Sequence, residues 1–221
     1  MILQYNKKKI SKVMDILLKG YLKQRQPTLR RTSKYRTPFQ ILIACLISLR
    51  TKDQNTEIVS EKLFKVASTP EKLANMNIKK LEKLVYSSGY YRKKARTIKS
   101  VSREILQRFD GKVPKNKEDL LSIKGIGQKT ANIVLAFAYG QDFIPIDTHC
   151  HRIPNRLGWI KTKNADETEK EIIEILPKKY WKEFNTIIIL FGQGICFPIS
   201  PKCSICPIRE YCKRINVKTS R

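Results

Sequence analysis

Acidic residues are scarce in this chain. Asp and Glu together number 19 among 221 residues, against 45 Lys and Arg, and the formal net charge is +26 at neutral pH. Such an excess repels itself, and its usual reason is a polyanionic partner or an anionic membrane surface. No segment pairs its charges with a bulky apolar face, so we expect nucleic acid to be the partner and not a membrane.

The basic residues are distributed unevenly. Residues 1–36 hold eleven of them and a single acid, Asp15, and residues 92–103 hold six and no acid. Residues 161–183 are balanced, with six of each sign. A generally lysine-rich composition would explain the many lysines but not the shortage of acids. The two basic segments therefore favour contact with nucleic acid.

Long hydrophobic runs are also missing. The longest nearly apolar stretch, residues 39–49, is too short to cross a bilayer. The first ten residues lack the apolar core and the cleavage site of a signal peptide. We therefore expect an intracellular protein, in which six cysteines suggest a metal site rather than disulfides. No segment looks like an oligomer interface, so a monomer is expected.

Alternation of apolar and polar residues is nearly absent, and apolar residues recur three and four positions apart, which predicts an all-α fold. The predicted helices span roughly residues 9–24, 38–50, 53–66, 70–75, 78–88, 91–109, 116–122, 128–139, 147–157, 165–176 and 178–192. Thr37, Thr69 and Asn116 are expected to cap the helices that follow them. Gly89 and Gly140 are expected to end helices.

Two glycines separate a short predicted helix from a longer one, in the run Lys124-Gly125-Ile126-Gly127. They allow a tight reversal with positive φ, and Ile126 can anchor the reversal to the core. The reversal opens a helix N-terminus, whose unpaired N–H groups bind a phosphate without reading base sequence. A plain turn between helices is the alternative. The joint occurrence of the glycines, the apolar residue and both helices favours the phosphate site.

Lys129 falls in the first turn of the second helix, where the positive end of the helix dipole disfavours a cation. Either Lys129 contacts a phosphate, or its amine is neutral often enough to attack carbon. Asp147 follows eighteen residues later, where a helix cap is its simplest role. Taken together, an amine and a carboxylate suit cleavage of a glycosidic bond. The carboxylate stabilises an oxocarbenium-like centre, and the amine attacks the sugar carbon.

Four cysteines follow the spacing C-x6-C-x2-C-x5-C: Cys196, Cys203, Cys206 and Cys212. Zinc sites with four cysteine ligands are the alternative, but they usually use two C-x2-C pairs, and here there is one. Iron–sulfur clusters accept a single run of unequal gaps, often with a proline beside a ligand, as Pro207 is. The spacing therefore favours a [4Fe–4S] cluster. Cys45 and Cys150 are expected to be packing residues.

The segments 125–132, 146–149 and 152–157, together with the cysteine spacing, make the chain resemble the endonuclease III branch of the helix-hairpin-helix-GPD DNA glycosylases over about residues 30–215. The resemblance implies two helical domains with a DNA-binding cleft between them. Residues 31–141 would form a six-helix domain that carries the hairpin. Residues 1–30 and 142–221 would together form a second domain, with the cluster loop at 196–212.

In that family the hairpin lysine is the nucleophile and the downstream aspartate is its partner, which implies these catalytic roles for Lys129 and Asp147. The branch that removes mismatched adenine lacks the lysine, and a thymine-mismatch branch has tyrosine there. Lys129 therefore implies a glycosylase that also cuts the strand at abasic sites, with oxidised pyrimidines in duplex DNA as expected substrates. A monofunctional mismatch glycosylase and a non-catalytic DNA-binding module are the alternatives.

The resemblance also implies two loops that hold DNA from which a nucleotide has been flipped out. They correspond to residues 48–53 and 88–92, with Tyr90 as the wedge. Core packing is the alternative for Tyr90 and Tyr91. Arg50 stands where the bacterial pattern has glutamine. The residues expected to contact DNA are Gly125, Ile126, Gly127, Gln128, Thr130, Arg50, Tyr90, Arg92 and Arg152.

Overall fold

The computed structural model describes residues 7–21 and 27–221, and every regular element within them is a helix. The predicted all-α class is therefore confirmed. The chain divides into two compact units. The terminal unit comprises Met1–Pro27 and Asp142–Arg221, and the central unit comprises Thr28–Gln141.

The central unit is built around a helix that is apolar on all sides. Its described helices are α2 (Thr28–Ser33), α3 (Pro38–Ser48), α4 (Asp53–Val66), α5 (Pro70–Asn75), α6 (Ile78–Leu84), α7 (Tyr91–Phe109), α8 (Lys117–Ser122) and α9 (Gln128–Ala138). Every residue of α3 from Ile41 to Ile47 is at most 2% exposed. A helix without a polar face has to be covered all round, and α4, α7 and α9 pack against it.

Helix α7 has two different faces. Ala95, Ile98 and Val101 are fully buried on one of them. Arg96 and Arg103 are exposed on the other, as is Arg92 in the first turn. Apart from the buried Lys94, the basic residues of segment 92–103 are thus exposed or partly exposed, and the opposite face of the helix belongs to the core.

The terminal unit brings the two ends of the sequence into one core. Its described helices are α1 (Lys7–Tyr21), α10 (Thr148–Leu157), α11 (Ala165–Ile175) and α12 (Trp181–Gly194), and single 3-10 turns lie at Lys178–Tyr180 and Arg209–Tyr211. Helices α1 and α10 both pack on α12, whose Phe184 and Phe191 are among the largest fully buried side chains. Cys150 is completely buried here, as Cys45 is in the central unit, which confirms both as packing residues.

The predicted caps are confirmed. Thr37 forms a capping box with Gln40, and Thr69 and Asn116 each accept a hydrogen bond from the first turn of their helix. Gly140 has φ of 67° directly after the C-cap residue of α9, in agreement with a helix stop.

Two parts of the helix prediction are wrong. Helix α2 was not predicted, because six residues are too few for a periodic apolar pattern. Helix α6 ends at Leu84 rather than near residue 88, so Gly89 does not stop a helix. The end of the first predicted helix, residues 22–24, lies outside the described residues.

None of the helices in the described ranges has the length and apolar character needed to cross a membrane.

Replacing Thr37 by alanine removes the side-chain half of the capping box of α3. Because α3 is the centre of its unit, we expect the full cost of a lost cap, about 1 kcal/mol in the free energy of unfolding. Urea denaturation measures it. Thr219→Ala, at an exposed threonine outside any helix, is the control and should leave the unfolding midpoint unchanged.

Candidate functional site

The hairpin between α8 and α9 turns at Gly125. Its φ is 101°, and a Cβ atom there would lie 2.7 Å from Cγ2 of Thr97 on α7. Gly127 has φ of −102°, and a Cβ atom at that residue would meet nothing within 4 Å. The predicted positive φ is therefore confirmed for Gly125 and wrong for Gly127. Ile126 is 6% exposed, so its side chain anchors the hairpin as expected.

The first turn of α9 follows directly. Gly127 is its N-cap and offers no side-chain hydrogen bond, so the initial N–H groups of the helix are not capped by a side chain. Gln128 has a buried Oε1 without a hydrogen-bond partner among the described residues. Thr130 is 3% exposed and its Oγ1 accepts from the Cys45 thiol at 3.7 Å, so its side chain belongs to the core. Only its backbone remains for contact with a ligand.

Lys129 is the second residue of α9 and is partly exposed. No hydrogen bond or ion pair from the described part of the chain holds its amine. Burial raises the pKa of the neighbouring Cys45 thiol, and the positive charge of Lys129 counteracts part of that rise. The amine is therefore a free cation at the start of a helix, beside the buried face that α3 presents.

Asp147 caps α10, as its position predicts. Its Oδ1 accepts from the backbone N–H groups of His149 at 2.9 Å and Cys150 at 2.8 Å. Both bonds go to the same oxygen, and Oδ2 accepts no hydrogen bond from the residues that the structure describes. The cap fixes the orientation of the carboxylate and leaves one oxygen for another partner. Lys129 belongs to the central unit and Asp147 to the terminal unit.

The four cysteines of the C-terminal loop line one cavity. Apolar side chains such as Leu157, Phe191 and Ile208 complete its wall. No three His, Cys, Asp or Glu side chains of residues 7–21 and 27–221 are grouped so that they could hold a metal ion. Because the four thiols line one pocket and yet no three of the described side chains are grouped to hold a single ion, the loop fits a cluster of several atoms better than a zinc ion bound at about 2.3 Å.

Backbone and side-chain donors approach these sulfurs. Arg156, only 7% exposed, donates from Nη1 to Cys196 Sγ at 3.3 Å, and the Arg214 N–H donates to Cys212 Sγ at 3.4 Å. Such donors stabilise thiolates bound to a metal centre. Burial raises the pKa of Cys206 to about 11, so binding of a metal centre has to displace the thiol proton. Nothing in the sequence pattern indicated that Arg156 contacts a sulfur.

Two of the expected DNA-contacting side chains pair with each other. Arg50 Nη1 donates to the Tyr90 hydroxyl at 3.1 Å, and the guanidinium lies 5.2 Å from the centre of the tyrosine ring. Tyr90 is 63% exposed, so the core-packing alternative is wrong for it. Arg92 is exposed and lies over the ring of Tyr91, which is itself partly buried.

Arg152 is engaged inside the terminal unit. Its Nη2 donates to the Cys196 carbonyl at 2.7 Å and lies 3.1 Å from Nδ1 of His149. Burial lowers the pKa of its guanidinium. These bonds connect α10 with the start of the cysteine loop.

Lys94 was also not predicted as a site residue. It lies within the basic segment 92–103, for which contact with nucleic acid was expected, yet the residue is only 6% exposed. Its burial lowers its pKa to about 8. A buried lysine cannot be distinguished from its exposed neighbours by residue type, and its periodic position on α7 was the only available signal.

The two hairpin glycines give a matched pair of variants. Gly125→Ala places a Cβ in the left-handed region and against Thr97, so we expect a loss of about 1–3 kcal/mol in the free energy of unfolding. Gly127→Ala meets no neighbour and should lose less than about 1 kcal/mol. Denaturation in urea compares them, and equal losses would contradict the geometry assigned to the hairpin.

Comparison with known proteins agrees with these features. The family described as HhH-GPD superfamily base excision DNA repair protein matches residues 43–178, and the iron–sulfur binding domain of endonuclease III matches residues 196–212. Endonuclease III of Thermotoga maritima is 42% identical over 183 residues, which cover 83% of this chain and 86% of that protein. Endonuclease III of Synechocystis is 33% identical over 205 residues, 92% of this chain and 93% of that protein.

A solved structure described as a trapped covalent intermediate of endonuclease III with DNA has the same fold. It aligns with a TM-score of 0.86 at 31% identity and covers 96% of this chain and 97% of that chain. The matching iron–sulfur domain assigns a [4Fe–4S] cluster to this protein. The chain belongs to the endonuclease III family of the HhH-GPD superfamily and is a DNA glycosylase of base excision repair.

Proposed function

We propose that this enzyme removes oxidised pyrimidines from duplex DNA and then cuts the strand by β-elimination, through a Schiff base on Lys129. The observation that carries the proposal is the free amine of Lys129 in the first turn of α9, directly behind the glycine hairpin. An amine that attacks carbon has to be unpaired and neutral at the moment of attack.

The proposed reaction has three steps: base release, opening of the sugar ring and elimination. The Lys129 Nζ attacks C1′ of the flipped nucleotide, the bond from C1′ to the base breaks, and the base leaves with a proton. The nitrogen lone pair then opens the sugar ring, because the ring oxygen takes the electron pair of its bond to C1′ together with a proton. The resulting imine acidifies C2′, and removal of a C2′ proton expels the 3′ phosphate.

Asp147 is proposed to stabilise the positive charge that develops on the sugar as the base departs. Its two cap bonds hold Oδ1 and orient the group, so Oδ2 is the oxygen proposed to face the reacting sugar. The carboxylate then needs no rearrangement during the reaction, which is the condition under which fixed charges contribute most.

The hairpin is proposed to bind a backbone phosphate through the N–H groups of Gly127 and the first turn of α9, because the Ile126 N–H already donates to the Ile123 carbonyl at 3.1 Å. Neither a side-chain cap nor a bulky group covers these donors at Gly127. Arg50 and Tyr90 are proposed to fill the space that the flipped nucleotide leaves, and Arg92 to contact a phosphate. Arg152 stays a proposed DNA contact only through the donors that its bonds to Cys196 and His149 leave free.

The four cysteines of the C-terminal loop are the proposed ligands of the cluster. When bound, the cluster supplies a structural cross-link, and it takes part in no step of the proposed reaction. The loop around it carries the basic side chains Lys202, Arg209, Lys213 and Arg214, which are proposed to lie along DNA. We propose that a monomer acts on damaged duplex DNA. The two units described above are proposed to correspond to the two domains of the family.

Lys129→Gln should abolish covalent trapping. On a duplex with one thymine glycol, borohydride should reduce the wild-type imine to a stable protein–DNA adduct, whereas glutamine has no amine to form it. Denaturing gel electrophoresis detects the adduct. Lys124→Gln removes the same charge from an exposed position in the hairpin and should still be trapped. An adduct in the Lys129 variant would assign the nucleophile elsewhere.

The Asp147→Asn variant distinguishes the role of Asp147 as a helix cap from its proposed role in stabilising charge on the sugar. Asparagine caps helices about as well as aspartate, so the free energy of unfolding should change by less than about 0.5 kcal/mol. The lost negative charge should reduce the single-turnover rate of base release by roughly 10²–10⁴-fold. If excision persists at the wild-type rate in a folded variant, Asp147 is a structural cap only.

A further inference from the structure

Two turns of the central unit lie against each other, and each contains a residue with an unusual backbone conformation. Arg50, after α3, has φ of 53°, and Tyr90, before α7, has φ of 58°. Residues with a side chain rarely occupy this left-handed region, and they persist there only when the surroundings hold them. Both turns are among those proposed to contact DNA, and contacts with neighbouring residues hold them in this conformation.

The backbone of one turn lies directly against the other. A Cβ atom at Gly89 would be 2.6 Å from the carbonyl oxygen of Arg50, so only glycine permits this approach. Across the same contact, the Arg50 guanidinium donates to the Tyr90 hydroxyl at 3.1 Å. Arg50 and Tyr90 are therefore presented as a pair, and displacing one turn displaces both side chains.

Lys94 forms hydrogen bonds from the core to the turn that carries Arg50. It lies one helical turn after Tyr90, and its Nζ donates to the Ile47 carbonyl and to the Thr51 hydroxyl, each at 2.6 Å. These two acceptors bracket Arg50 on both sides. The side chain of Lys94 is 6% exposed, and no carboxylate of the described residues pairs with it.

Burying this amine is unfavourable, as its lowered pKa of about 8 indicates. A methionine or leucine would fill the same space in the core without that cost. The amine is useful only for the two hydrogen bonds that it makes. Both bonds end on the turn that carries Arg50, so the structural benefit is confined to that turn.

The pair also borders the hairpin. Arg50, Tyr90 and Lys94 line one open cavity together with Thr97 and Gly125. Thr97 is the residue against which Gly125 packs. The turn that Lys94 holds therefore lies next to the proposed phosphate site.

We infer that Lys94 is a positioning residue that presents Arg50 and Tyr90 as one rigid wedge for the gap left in DNA by a flipped nucleotide. The inference rests on the proposed function, since it assumes that the enzyme acts on a nucleotide outside the helix. To the proposed wedge of Arg50 and Tyr90 it adds a third, buried side chain that keeps the two aligned.

The test compares two DNA duplexes with the full-length protein and its bound cluster. One duplex holds a tetrahydrofuran abasic-site analogue opposite 2-aminopurine, whose fluorescence rises when it loses its stacking, and the other is undamaged. Lys94→Met keeps the length of the side chain and removes the amine. It should weaken binding to the abasic duplex by about tenfold, leave binding to the undamaged duplex nearly unchanged, and reduce the rise in fluorescence.

Two further variants make the test specific. Arg96→Met removes one positive charge from an exposed residue of α7 that does not line this cavity, and it should weaken binding to both duplexes by one small, equal factor. Arg50→Ala should reproduce the selective loss seen with Lys94→Met. The double variant Arg50→Ala with Lys94→Met should be no weaker than Arg50→Ala alone, because both changes break the same wedge.

Three results would overturn the inference: equal weakening on both duplexes with a lower unfolding midpoint, losses that multiply in the double variant, or no effect of Lys94→Met. Borohydride trapping with the wild-type protein tests the proposed function separately. If the wild type forms no borohydride adduct while the selective loss with Lys94→Met persists, the lyase mechanism fails and the positioning role stands.

Discussion

The central unit depends on the close approach of the Gly125 backbone to Thr97. The contact leaves no room for a side chain at residue 125, and it seats the hairpin on α7. Lys94 and Thr97 are three positions apart and share the face of α7 that is turned toward the hairpin and the α3 turn. One rigid helix therefore supports both the proposed phosphate site and the proposed wedge, and their spacing follows from its 1.5 Å rise per residue.

In the terminal unit, α10 also supports two parts of the candidate site, Asp147 and the cysteine loop. Asp147 caps one end of this helix, and Arg152 and Arg156 connect its body with the backbone and sulfur of Cys196. The cysteine loop at residues 196–212 contains little regular structure, only the 3-10 turn Arg209–Tyr211. Its own backbone hydrogen bonds are short-range turn bonds, such as those from the Cys206 N–H to the Cys203 carbonyl and from the Cys212 N–H to the Arg209 carbonyl. The free energy of binding the cluster therefore contributes directly to its folding.

Local chemistry made most of the site predictable from sequence. Caps such as Thr37 and Asp147 and the left-handed Gly125 follow from rules that act within a few residues. Arg156 and Lys94 could not be found in that way, because their importance comes from partners about 40 residues away along the chain. Gly89 was interpreted as a helix stop for the same reason, since what requires glycine there is the Arg50 carbonyl. The short helix α2 offers no periodic pattern to detect.

Arg92 is proposed to contact a phosphate, and the exposed Arg96 and Arg103 lie on the same face of α7. Phosphate contacts along this face would have a kinetic consequence. Contacts between cationic side chains and phosphates are nearly equal at every step along a duplex, so they attract the protein without fixing it at one position. A repair enzyme has to inspect many intact base pairs for each damaged one, and such binding lets it slide and hop along the double helix between them. The ionic strength of the surroundings then sets how long each scan lasts, because the counterion release that favours binding to undamaged DNA becomes less favourable as the salt concentration rises.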